Sequence, residues 1–504
     1  MTEFVFEDVI LHGEVGRRTE AVFVYSVGGW RHSCSARWGE LQLDERRHGV
    51  AACLLHMGLC SLLWPFMAKP RKTIRILGRA GPLTESQRQW WEQIYRDALV
   101  EFAFCNGLDS VPAPAVVAEA PTEAAPPPTS EGDPRRGLCG LGGGKDSLVA
   151  MRLLEESLGH DAPAPTWLYS SADSHHEFET TRLLRQIVET SGKAVIVMSH
   201  DPDYPGLEQG TEPLLRFGCC GGPVCLMIAL DSVLASLLAR DSGEPGGGGY
   251  SFLAVGNERS ANFGNGIHID GLELNHQWEK SADFEGRVNA YIDEHLLRTF
   301  RYFSPLASLW EVQIAGYFSV ECAPFLSCFC SCNSYTGNEW AAAWCGSCAK
   351  CLFVFILLSA WLPRQSVVDI FGGMDLLGVY SPTQHLDKLL GSSHCGSKPL
   401  DCVGTPEETS ASLSCAAARY DVLPWVLRLS QYAWRHGDMR RLVSDFGEAS
   451  ASAPPWFSAH AMHARVAEVL LPLIPETCAE ASSNSKGREP ETMDVPGECW
   501  DVCE

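Results

Sequence analysis

The feature that most limits what this chain can fold into is the run Gly142-Gly143-Gly144-Lys145-Asp146-Ser147. It stands between a short apolar stretch, Gly137–Leu141, and a helix-patterned one, Asp146–Gly159. A strand that runs into glycines and then a helix leaves bare N–H groups at the helix start, where an anion can sit. Glycines allow close approach, Lys145 adds positive charge, Asp146 can cap the helix or face a Mg²⁺, and Ser147 offers a hydroxyl. Two other glycine motifs fail. Cys139 and Asp146 stand where a Walker loop needs Gly and Ser or Thr, and Lys145 stands where a dinucleotide fingerprint needs glycine. A glycine-rich turn with no ligand is the plain alternative.

Strand-like and helix-like stretches alternate after this point. Thr166–Ser170, Ala194–Met198 and Ser251–Val255 read as strands, Phe178–Gly192 and Pro223–Arg240 as helices, and Gly246–Gly249 as a loop. The expected fold is α/β: a domain over residues 137–351 built on a parallel sheet, with ligands at the C-terminal strand edge. Ahead of it, residues 1–109 read as an α+β domain with strands at Ala21–Tyr25 and Thr73–Leu77. A helix over Thr84–Phe104 opens on the capping-box pattern Thr84-x-x-Gln87. Residues 110–136, rich in Ala, Pro, Glu and Thr, read as a linker, 352–475 as mainly helical, and 476–504 as a disordered acidic tail. No stretch is read as a membrane span; the most apolar, Leu352–Leu362, is short and is expected as a buried helix.

The formal charge of −23, from 39 basic against 62 acidic residues, repels a polynucleotide and disfavours a nucleic-acid partner. The acidic start of the chain lacks the order of a secretory signal, and 21 cysteines scattered over 504 residues do not resemble a disulfide framework. A reducing, cytoplasmic location is expected. Cys332, Cys345, Cys348 and Cys351 form Cys-x12-Cys-x2-Cys-x2-Cys, spacing that lets thiolates converge on one tetrahedral ion, zinc first, in a structural site. Chance clustering is the alternative, with Cys328 and Cys330 blurring the ligand choice, and a redox use of Cys345 and Cys348 is a third reading.

The hexamer resembles the Ser-Gly-Gly-x-Asp-Ser signature of PP-loop ATP pyrophosphatases, with Gly142 in place of the first serine. Further segments are similar to one bacterial family, the UDP-N-acetylmuramoyl-L-alanyl-L-glutamate epimerases (MurL). They are Glu101–Asp109, Gly256–Ala261, Asn275–Ser281, Ser331-Cys-Asn333, Trp344–Cys351 and Phe371-Gly-Gly373, running in order from about residue 100 to 380. The resemblance implies an adenine nucleotide alpha hydrolase-like PP-loop domain. It also implies an ATP- and Mg²⁺-dependent inversion of the terminal glutamate of a nucleotide-sugar dipeptide, with release of AMP and diphosphate.

Several residues meet the demands of that chemistry. Arg259 can pair bidentately with a glutamate carboxylate, Glu258 can hold Mg²⁺ or act as base, and His276 and Lys280 can carry protons or contact the diphosphate. Cys219 and Cys220 can act as thiol acid and base, and Asp173, His175 and His176 follow the second strand near the expected adenine pocket. Surface or packing positions account for each of these equally simply. The cysteine and tryptophan content, the linker, the Gly246–Gly249 insert and the tail depart from a plain bacterial member. Two rivals remain: a PP-loop RNA-modifying or sulfur-transfer enzyme with Cys345 and Cys348 carrying sulfur, and a non-catalytic, zinc-stabilised binding protein.

Overall fold

Phe4 and Phe6 alternate with half-buried neighbours in β1 (Glu3–Glu14), the period-2 signature of a strand with one face on a core. With β2 (Arg17–Val27) and β3 (Trp30–Arg37) it forms an antiparallel meander. The computed structural model describes residues 3–119, 126–130, 132–171, 178, 182–203, 224–239, 248–332, 344–378, 383–391 and 398–420. The chain divides into two compact units, residues 1–142, 163–257 and 261–304 in the first, and 143–162, 258–260 and 305–504 in the second.

In the first unit, helix α1 (Val50–Ala68) follows the meander, then β4 (Thr73–Ile76), α2 (Glu85–Ala98), α3 (Val100–Cys105) and β5 (Ala115–Ala118). The chain returns as β6 (Gly137–Gly140), runs through α4 (Lys145–Leu158) of the second unit, and continues with β7 (Thr166–Ser171), α5 (Arg182–Ser191), β8 (Val195–Asp203), α6 (Val224–Ala239) and β9 (Phe252–Ala254). A two-stranded hairpin of β10 (His268–Ile269) and β11 (Leu272–Glu273), helix α7 (Ala282–His295) and β12 (Arg301–Phe303) complete it. Among the described residues, ten strands form one sheet in the order β12-β9-β6-β7-β8-β3-β2-β1-β4-β5. The five from β12 to β8 run parallel, as the alternating pattern predicts. The centre of this parallel part is apolar on both faces, with Leu138, Cys139, Trp167, Leu168, Phe252 and Leu253 all buried.

The capping box at Thr84 forms as expected, with Thr84 accepting from the Gln87 N–H and Gln87 from the Thr84 N–H. Two expectations need correction. The 110–136 stretch is not a linker throughout: Ala115–Ala118 pairs with β4, because Val116 and Val117 supply a local strand that the Ala/Pro average hides. One sheet thereby includes strands from both sides of that stretch, and β3 meets β8 antiparallel. The most apolar uncharged stretch is also not Leu352–Leu362 but α1, nineteen residues long and apolar enough to cross a membrane by length and composition alone. Its most apolar window is 83% buried inside the structure, so here it serves as a core helix. Gly58 sits where a Cβ would come within 2.3 Å of the Phe6 ring, so this helix needs a glycine to lie that close to β1.

A buried network ties β7, β8 and α6 together. Ser170 Oγ donates to Asp231 Oδ2 at 2.6 Å, and His200 Nε2 lies 3.0 Å from the same oxygen. Burial opposes charge on His200, but Asp231 outweighs it and lifts the imidazole to about 10 from an ordinary 6.5. Its contribution to stability is therefore complete below pH 6.5 and lost as pH rises through about 10. We expect His200→Gln to lower the unfolding free energy by about 3–5 kcal/mol, since Asp231 would stay buried without its cation. Urea unfolding below and above that interval should show the loss shrinking with pH; an unchanged stability at the lower pH would refute the assignment.

Candidate functional site

The second unit begins inside the glycine run. Gly143 has φ of 75°, a left-handed conformation that glycine adopts without strain. Its carbonyl accepts from the Cys330 N–H at 2.9 Å. Gly144 is the extended N-cap of α4 and has no side chain to cap it, while Ser147 Oγ donates to the Gly144 carbonyl at 2.9 Å. Asp146 lies in the first turn and is not the cap, contrary to one expectation. The helix start therefore presents amides with no side-chain cap at its N-cap, as an anion site requires.

Lys145 departs from expectation more sharply. Its side chain is fully buried, and its ammonium donates to Asp146 Oδ1 at 2.6 Å and to Glu311 Oε2. Burial works against that charge, but the two carboxylates outweigh it and hold the ammonium above its ordinary value. An ammonium so enclosed organises carboxylates and does not face solvent; Asp146 keeps 20% of its side chain exposed and is the member that a ligand can reach. Burial raises the Asp146 carboxyl, Lys145 pulls it back, and Glu311 and Glu258 push it up again, leaving a net upward shift.

Glu311 opens α8 (Glu311–Glu321), and sequence reasoning missed it. Lys350 Nζ lies 3.5 Å from Glu311 Oε1, and the Glu311 N–H donates to Glu408 Oε1 at 2.6 Å. Glu408 also accepts from the Thr405 N–H at the start of α9 (Pro406–Arg419). Burial first, then the Glu311 charge, lifts Glu408 to about 7. The preceding residue, Trp310, carries the Arg259 guanidinium 4.8 Å above its ring, and Leu309 accepts from the Arg259 N–H at 2.9 Å. Glu258, 2% exposed, belongs to the same unit, and buried Lys398 donates to the Ser260 carbonyl at 2.8 Å. One tripeptide, Leu309-Trp310-Glu311, thus holds Arg259 and Lys145 together. The available signal was an acid beside a tryptophan at the start of a buried apolar stretch; Lys350 lay in plain view between Cys348 and Cys351.

His276 and Lys280 fall in the first unit. His276 Nδ1 lies 2.9 Å from both oxygens of Glu101, which as a carboxylate must accept, so Nδ1 carries the proton. The pair lines a cavity of about 250 Å³ with Asp97, Trp278, Glu279 and Arg287. Lys280 ends a 3-10 turn and is partly buried. Asp173, His175, His176, Cys219 and Cys220 lie outside the described residues.

The four cysteines converge as the spacing predicts. Sγ atoms of Cys332, Cys345, Cys348 and Cys351 all lie within 4.8 Å of one another. Cys332 and Cys348 are 3.9 Å apart, and Cys345 and Cys351 3.7 Å. Tetrahedral zinc with Zn–S bonds of about 2.3 Å sets sulfurs about 3.8 Å apart. The Ser347 and Cys351 N–H groups donate to Cys345 and Cys348 sulfurs at 3.4 Å, stabilising thiolates. Gly346, at φ 67° and against Met374, is required by this tight turn. Cys328 and Cys330 are not among the four cysteines whose sulfurs converge.

A family model described as the MurL N-terminal domain matches residues 3–185 and 227–305, and one described as the MurL C-terminal domain matches 328–428. A Micromonospora protein named UDP-N-acetyl-alpha-D-muramoyl-L-alanyl-L-glutamate epimerase is 32% identical over 352 residues, 69% of this chain and 71% of its own length. Proteins of the same name from Salinispora tropica and Xanthomonas oryzae pv. oryzae are 32% and 31% identical, the aligned stretches spanning 64% and 66% of their lengths and 64% and 65% of this chain. No solved structure matches the chain.

Proposed function

The chain belongs to the MurL family, and on that premise we propose that it is an epimerase, hence an isomerase. Its proposed substrate is UDP-N-acetylmuramoyl-L-alanyl-L-glutamate, whose terminal glutamate it inverts using ATP and Mg²⁺, with release of AMP and diphosphate. The observation that carries this reading is the second-unit cluster of Asp146, Glu258, Arg259, Lys145 and Glu311 around a helix start that no side chain of its N-cap residue closes.

A Cα–H beside a free carboxylate is a very poor acid, because its loss puts a second negative charge on the same small group. ATP supplies the remedy, adenylation of that carboxylate, which removes the first charge. The chain's residues do the rest. Amides of the turn Gly142–Ser147 grip phosphate. The carboxylates of Asp146 and Glu258 suit Mg²⁺, since a cation favours the charged form of Asp146 that burial first, and the Glu311 and Glu258 charges after it, oppose. Arg259, held over the Trp310 ring, presents a planar fork to a substrate carboxylate. Lys145 acts as a positioning residue that fixes Asp146 and Glu311. Glu258 and His276, the latter oriented by Glu101, are the candidates to take or return the α-proton, and Lys280 to contact the diphosphate. Zn²⁺ at the four-thiol group belongs to the same reading as a structural ion. So do a small-molecule substrate, no nucleic-acid partner and a cytoplasmic location. The sulfur-transfer rival loses ground, because Cys345 and Cys348 sit in one four-thiol group and not as separate carriers.

Incubating the protein with ATP, Mg²⁺ and the L-glutamyl precursor in heavy water should put deuterium at the glutamate α-carbon and release diphosphate. Diphosphate without deuterium would remove the epimerase claim while sparing the nucleotide chemistry.

A further inference from the structure

The four-thiol group is joined to the glycine turn at two places. Two residues before Cys332, the Cys330 N–H donates to the Gly143 carbonyl at 2.9 Å. Between them, Ser331 packs so closely on Gly144 that an added Cβ there would meet the Ser331 Cβ at 3.2 Å. The Ser331 hydroxyl is out of solvent and has no hydrogen-bond partner among the described residues. A buried hydroxyl left in that state costs about 1–3 kcal/mol, so a partner at this spot is strongly favoured. On the other side, Lys350 lies between Cys348 and Cys351 and reaches Glu311, the carboxylate that holds Lys145.

We propose that Cys332, Cys345, Cys348 and Cys351 bind one structural zinc ion that holds the phosphate-binding turn in place and brings the Ser331 hydroxyl to it as a further phosphate donor. The sulfur separations of 3.7 and 3.9 Å suit a tetrahedral ion, and the two N–H groups aimed at sulfur suit thiolates. Binding converts four thiols to thiolates and releases their protons. The ion then replaces four mutually repelling groups with one rigid knot, from which Ser331 is one residue and Lys350 at most two residues removed. The phosphate role of Ser331 rests on the nucleotide reading above; the ordering of the turn does not.

Three measurements on the full chain test this. Metal analysis of protein purified without chelator should give one zinc per chain, with Cys345→Ser losing it and Cys328→Ser, outside the group, keeping it. Stripping zinc from the wild-type protein should speed amide exchange about tenfold across Gly142–Ser147, with β7 of the first unit as the fold control. Ser331→Ala should keep both zinc and fold yet bind ATP about tenfold more weakly. Absence of zinc overturns the inference, and so does a turn whose exchange ignores zinc removal while β7 stays protected. Undiminished ATP affinity in Ser331→Ala overturns the donor assignment alone. Zinc-loaded wild-type protein that binds no ATP overturns that assignment together with the nucleotide reading.

Discussion

Replacing Lys145 by Met should lower the unfolding free energy by about 3–5 kcal/mol, an effect among the largest a single side chain can have in this molecule. Lys145 is fully buried and Glu311 is 1% exposed, so neither charge can be rescued by water. Without Lys145, Glu311 loses its nearer ammonium and retains the longer contact to Lys350 while facing Asp146 and Glu408. Glu408, lifted to about 7 by burial first and by the Glu311 charge second, shows that this enclosure disfavours a further negative charge. Adding Glu311→Gln removes the uncompensated carboxylate, so the double variant should recover most of the lost stability. Such strong non-additivity is the signature of one coupled pair. Catalysis should not recover, because in both variants Asp146 has lost the ammonium that aims it; a fall of about 100-fold in kcat/KM is expected. Tryptophan-detected urea unfolding of the four proteins in the cycle decides the first point. Additive losses would mean that Lys145 and Glu311 act independently.

Local features were legible because they depend on near neighbours in sequence. The Thr84 cap, the strand before the glycines and the helix after them follow from spacing and residue type alone. So does the cysteine knot, whose two-residue spacers leave little choice of geometry. Pairing across the chain was not legible. β3 joins β8 across more than 150 residues of sequence, and nothing in either strand specifies its partner. β5 was hidden by its neighbours' composition, and α1 by His56, Ser61 and Pro65, which break an apolar run by eye but carry no charge. Glu311 escaped for a related reason. A lone acid ahead of apolar residues looks like a solvated helix start, and only the fold brings Lys145 and Lys350 to it. The same blindness assigned Lys145 directly to phosphate, since a sequence shows that a cation is present and not which anion it meets.

Asp146→Asn should separate stability from catalysis at this site. The substitution keeps the oxygen that accepts from Lys145 and nearly the same volume, so the buried Lys145–Glu311 pair survives. It also removes a carboxylate whose charged form the fold disfavours, as the upward shift shows, so stability should hold or rise slightly. A site that buries a carboxylate beside like charges at the cost of stability is what a functional constraint looks like. If Asp146 supplies charge to Mg²⁺ beside the turn, its loss should reduce diphosphate release and α-hydrogen exchange together, by about 100- to 1000-fold. Loss of exchange alone would move Asp146 from the metal to the proton transfer, and unchanged rates in a folded variant would remove it from the site. Because Asn preserves the local packing, a large fall with an intact urea midpoint can come only from the missing charge.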